Sequence, residues 1–119
     1  MSSISDSLTE LLKIDGALGC CVVDSKSGMV LGKAGGGVDL DLAAAGNTEV
    51  VRAKLKTMNS LGITGAIEDI LITLEDQYHV IRPAEKHNGL FIYLVLDKGK
   101  SNLALARHKT SDIEKTMQI

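Results

Sequence analysis

The chain has 119 residues, of which 45% are apolar but only 3% aromatic, and a formal charge of −2. That length suits one domain, residues 1–119, with a core that must be built from Leu, Ile, Val and Ala. Lys and Arg are interspersed with acids, which excludes the basic stripe of a nucleic-acid binder, and no apolar run reaches the roughly 18 residues of a membrane span.

The first 15 residues are acidic and amphipathic, unlike the basic start and apolar stretch of a signal peptide. Ile4, Leu8, Leu11 and Leu12 recur at helical spacing and predict a helix over Ser3–Asp15. Ser7 and Glu10 stand at capping-box spacing near its start, and Gly16 stops it. Ala17–Asp24 is a continuous apolar run, as expected of a strand covered on both faces. Ser25-Lys26-Ser27-Gly28 reads as a turn into a second strand, Met29–Ala34, and the hairpin ends at Gly35-Gly36-Gly37. A long helix follows over Leu40–Leu61, capped by Asp39 or Asp41 and closed by Gly62. Gly46 inside it costs about 1 kcal/mol relative to Ala.

Three strands come next. Ile67–Glu75 alternates, with Ile70, Ile72 and Leu74 on one face. Tyr78–Arg82 follows a tight turn and ends at Pro83, and Lys86-His87-Asn88-Gly89 turns the chain into Leu90–Asp97, its most apolar run. A last helix over Asn102–Gln118 carries a buried stripe of Leu103, Ala106, Thr110, Ile113 and Met117, with Leu105 outside it.

Short turns make strand pairs 1–2, 3–4 and 4–5 antiparallel hairpins. The two continuous apolar strands, first and fifth, belong in the middle, so the simplest sheet has the order 2-1-5-4-3. The long helix then crosses one face and the terminal helices cover the other, giving an α/β three-layer helix–sheet–helix sandwich. This leaves strand 3 at an edge with no Pro, Gly or Lys between Asp69 and Glu75 to blunt it. The long helix has an apolar arc of about 140°, wider than the roughly 100° that covers one sheet. Either the helix is sunk deeply in one domain, or one flank meets a second copy. The second option predicts a dimer interface of Asn47, Val51, Lys54, Leu55, Met58, Ile70 and Ile72, with Thr48, Arg52 and Lys56 facing a further partner.

Residue patterns for chemistry are weak. Gly28-x-x-x-Gly32-Lys33-Ala34 has one residue too few between its glycines for a phosphate-binding loop, lacks the Ser or Thr after Lys, and sits in a hairpin. His79, His87 and His108 match no metal-ligand spacing, and the carboxylates form no evident acid and base pair. Cys20 and Cys21 are adjacent in a strand, so they point to opposite faces and predict two buried free thiols in a reducing, cytoplasmic setting. No catalytic residue, cofactor or metal is expected.

Several stretches carry a resemblance. Ile14 to Leu31 (IDGALGCCVVDSKSGMVL), Asp69 to Pro83 (DILITLEDQYHVIRP) and Leu90 to Lys109 (LFIYLVLDKGKSNLALARHK) resemble the roadblock family, which includes dynein-associated light chains and bacterial relatives. The Ile-Arg-Pro ending at Pro83 and the Leu103–Arg107 run are its most specific pieces. The resemblance implies a profilin-like sandwich that dimerises through the middle helix and the edge strand. It also implies a non-catalytic adaptor or regulator, typically of a Ras-like small GTPase or of a motor complex. The competing expectation is a ligand-sensing domain, since sensory modules use similar sheets; it requires an internal pocket of about 300 Å³ or more.

Overall fold

The structure is a computed structural model and describes residues 2–118. Its first helix, α1 (Ile4–Leu12), is capped by Ser3, whose hydroxyl accepts the Asp6 N–H at 3.1 Å. The cap expected at Ser7 is therefore corrected: Ser7 lies one turn inside, and its Oγ is the one buried side-chain polar atom among the described residues without a hydrogen-bond partner. An unmet hydroxyl in a helix interior opposes folding. Ser7→Ala is expected to stabilise the protein by about 1 kcal/mol in denaturant titration, combining better helix propensity with removal of that hydroxyl.

Strands β1 (Ala17–Asp24) and β2 (Met29–Gly35) form the first hairpin, followed by α2 (Leu40–Ser60) with Asp39 as its cap. Then come β3 (Ile70–Thr73), β4 (Gln77–Pro83) and β5 (Leu90–Asp97), a single 3₁₀ turn, and α3 (Leu103–Thr116). All neighbouring strands are antiparallel, and the sheet order is β2-β1-β5-β4-β3, as expected. β3 is shorter than the predicted Ile67–Glu75. Asp69 is held outside the ladder by a bidentate ion pair with Arg107 of α3 (2.7 and 2.8 Å), and Leu74 already belongs to the turn, donating to the Gln77 carbonyl.

Alternation along the two central strands sorts the core into two layers. Cys20 and Val22 of β1, Val80 of β4, and Ile92, Leu94 and Leu96 of β5 lie beneath α1 and α3, against Leu8, Leu11, Ala106 and Met117. Cys21, Val23, Ile81, Phe91, Tyr93 and Val95 face the other way, against Leu40, Ala44 and Val51 of α2. Both cysteines are free and fully buried, and burial pushes each thiol up to about 12, which makes them inert packing residues. Gly19 brings the hairpin close: a Cβ there would collide with the backbone carbonyl of Gly36.

The α3 stripe holds Ala106, Thr110 and Met117 as expected, while Leu103 and Ile113 are half-buried. A carboxylate joins it. Glu114 is fully buried, accepts from Arg82 Nε at 3.0 Å and from the Glu85 N–H at 3.3 Å, and so clamps α3 to the end of β4. Among the described residues no helix is long and apolar enough to cross a membrane.

Candidate protein-interaction surface

α2 does not cover its face of the sheet. It runs over the β1–β2 hairpin with Leu40, Ala44, Thr48 and Val51 turned inward at helical spacing. Lys33 of β2 reaches Asp41 at 2.7 Å near its start, and Arg52 holds the Ser25 and Lys26 carbonyls at 2.7 and 2.8 Å. On the β3–β4 side of the same face, Ile70, Ile72 and His79 stay only half-buried.

Two residues expected at contact surfaces are corrected by this placement. Thr48 is buried and donates its hydroxyl to the Ala44 carbonyl at 2.8 Å, so it cannot face a partner. Val51 packs into the core beneath α2, because it lies on the inward stripe three residues after Thr48. Arg52 is exposed, yet its guanidinium is engaged by the hairpin turn and by Glu49 at 3.1 Å. Lys56 is exposed, on the part of α2 beyond the sheet.

The remaining residues come together on one flank. Ala43, Asn47, Lys54 and Met58 recur along the side of α2 that borders the uncovered face, with the Asn47 side chain beside the hydroxyl of Tyr93. Beyond Val51 no residue of α2 is buried, so Leu55 (48% exposed) and half-buried Met58 extend the apolar stripe past the sheet. The helix then closes in a Schellman motif. Gly62, at φ +71°, donates to the Asn59 carbonyl and Ile63 donates to Met58, leaving Leu61 and Ile63 exposed beside that stripe.

Sequence reasoning missed one polar feature of this face. His79 Nδ1 is 3.0 Å from the Tyr93 hydroxyl and its Nε2 is 2.8 Å from Gln77 Oε1, with the two rings edge to face at 87°. The signal was present as pairing of β4 with β5, but only the register shows that these side chains share a face.

Surface depressions elsewhere are shallow. One of about 220 Å³ lies between α1 and α3, lined by Glu10, Lys13, Ile14, Lys109, Asp112 and Ile113. Another is an open notch by Asp76, Asp97 and Lys98. Among the described residues no three His, Cys, Asp or Glu side chains converge as metal ligands would.

No protein-family model and no curated protein matches the chain. Solved structures do. The chain superposes on a roadblock/LC7 domain from Streptomyces avermitilis with a TM-score of 0.83 at 13% identity, covering 97% of this chain and 94% of that one. MglB of Myxococcus xanthus matches at 0.82 and 16% identity, covering 94% and 89%. The gliding protein MglB of Thermus thermophilus matches at 0.72 and 19%, covering 94% and 88%. The chain has the roadblock-domain fold.

Proposed function

We propose that this roadblock-fold chain is a non-catalytic regulatory or scaffold module that pairs with a second copy and presents the pair to a Ras-like small GTPase. The observation that carries the reading is the half-covered sheet face. One α2 flank, the apolar end of that helix and Ile70 and Ile72 of the edge strand form one unfilled surface beside an open edge. A second copy related by a twofold axis offers the same flank and edge, so each fills the other. Asn47, Lys54, Leu55, Met58, Ile70 and Ile72 make the contact, and Lys56 stays free for the partner. The fold's occurrence in a gliding protein supports a role in polarity or motility, by analogy of fold. The module works in the cytoplasm, where its two thiols stay reduced. It holds no cofactor or metal and acts on nucleotide hydrolysis only by arranging the GTPase's own residues.

Sedimentation equilibrium is expected to return a dimer mass at micromolar concentration, and a monomer across that range would overturn the pairing. Titration with a small GTPase of the same genome is expected to give different affinities for the GTP and GDP forms, because a switch protein changes its surface with its nucleotide. Equal affinities would remove the GTPase and leave a scaffold for another protein.

A further inference from the structure

The polar contacts on the uncovered face run in one direction. Gln77 Oε1 is an acceptor, so His79 Nε2 carries the proton and Nδ1 accepts from the Tyr93 hydroxyl. Burial pushes that hydroxyl up to about 12, so it keeps its proton to give. The chain of donors therefore runs from Tyr93 on β5 to His79 on β4 to Gln77, with the Asn47 side chain of α2 beside the phenol. It links β4 and β5 on the uncovered face, beside the α2 flank. A proton on Nδ1 would set N–H against O–H. Tyr93, 1% exposed, would have to turn its hydroxyl away from the ring and recruit the Asn47 carbonyl oxygen as a new acceptor, so the present arrangement could not persist.

We propose that His79 gates self-association by its protonation: the neutral ring completes the contact surface, and the charged ring opens it and releases the second copy. The inference rests on the pairing reading above. Groups facing the ring come from each neighbouring element. Tyr93 of β5 is titratable but neutral; Ile72 of β3 and Val95 of β5 flank the ring in the ladder; Asn47 comes from α2. Asp97 of β5, opposite Gln77 in the ladder, turns its carboxylate to the Gly99 N–H at 2.9 Å, and the charged residue of the α2 flank, Lys54, is exposed. Burial is the cause that holds His79 below its ordinary value, and covering by a second copy adds to it.

The sign follows from that depression. The dimer is at full strength above the ordinary value of about 6.5 and weakens as pH falls through the window below it, between the values of the ring in the free and paired chains. Two rings per dimer allow the dissociation constant to rise by up to about a hundredfold per pH unit in that window.

Sedimentation equilibrium from about pH 7.5 to 5.0, with circular dichroism at each pH to confirm folding, tests this. The wild-type dissociation constant is expected to rise about tenfold or more. His79→Asn, which keeps an acceptor near the Nδ1 position, should flatten the dependence, and His108→Asn should leave it unchanged. A dimer of constant affinity across the range, or a His79→Asn variant with the wild-type slope, overturns the gate and leaves the pairing standing. A monomer at pH 7.5 overturns the pairing itself. Should His79→Asn not fold, imidazole NMR titration of the wild type above and below its dissociation constant decides. A lower His79 value in the dimer supports the gate, and equal values sink it.

Discussion

Glu114→Ala is expected to cost about 3 kcal/mol of unfolding free energy. Glu114 is fully buried in α3, and its two carboxylate oxygens are both occupied, one by Arg82 and one by the Glu85 N–H. Removing it leaves Arg82, itself 14% exposed, without its counter-charge, and strands a backbone donor at the end of β4. The cost comes from what is left behind. Replacing both partners with apolar residues, as in Arg82→Met with Glu114→Leu, should recover most of the loss, because an ion pair taken from water gains little over a well-packed apolar contact. Guanidinium denaturation of the two single variants and the double gives the coupling directly. A Glu114→Ala variant within about 0.5 kcal/mol of wild type would show that the pair holds nothing in place.

Met58→Glu is expected to raise the dimer dissociation constant about a hundredfold or more while leaving the chain folded. Met58 follows the last buried residue of α2 by two helical turns, so a carboxylate there meets water in the lone chain. Across a twofold contact each copy would desolvate its own charge against the other, at about 3 kcal/mol or more. Ile70→Lys and Ile72→Lys should also weaken pairing, but with some loss of stability, because both side chains already pack against the core beneath α2. Leu42→Glu, on the exposed first turn of the same helix at 72% exposure, is the control and should change neither property. Sedimentation of these variants alongside thermal melts separates the contact from the core. If Met58→Glu unfolds the chain, the residue belongs to the core and the surface drawn from it is wrong.

Strand order, layer assignment and the span of β1 and β5 follow from uninterrupted apolar runs, and the adjacent cysteines divide between the two faces as strand geometry requires. β3 was over-extended because alternation from Ile67 onward has no way to register that Arg107, 38 residues later, captures Asp69. Ser3 and Ser7 offer the same cap chemistry one turn apart, and only the path of the chain decides between them. Glu114 stands four residues after Thr110, on the very stripe predicted for α3, yet a Glu there reads as a break in the pattern until Arg82 is brought beside it. Spacing alone assigns Val51 to a dimer contact and Thr48 to an outward face, because the broad apolar arc of α2 does not say which part of it meets the sheet. Register and tertiary ion pairs are long-range facts, and local spacing does not encode them.

The half of α2 beyond Val51 has a further consequence. Arg52–Ser60 is a stretch of about 13 Å with no buried residue, held in a lone chain only by its own backbone ladder, the Arg52 contacts at its start and the motif at Gly62. Ala53 to Lys56 favour helix, whereas Thr57, Asn59 and Ser60 do not, and so short a piece of unsupported helix is marginal in water. The proposed pairing would therefore organise this segment as well as cover it, with part of the contact's gain offset by lost backbone freedom. Affinity can then be tuned from residues that never touch the second copy: a stiffer outer face on those two and a half turns would bind more tightly, and a looser one more weakly, with every contact unchanged.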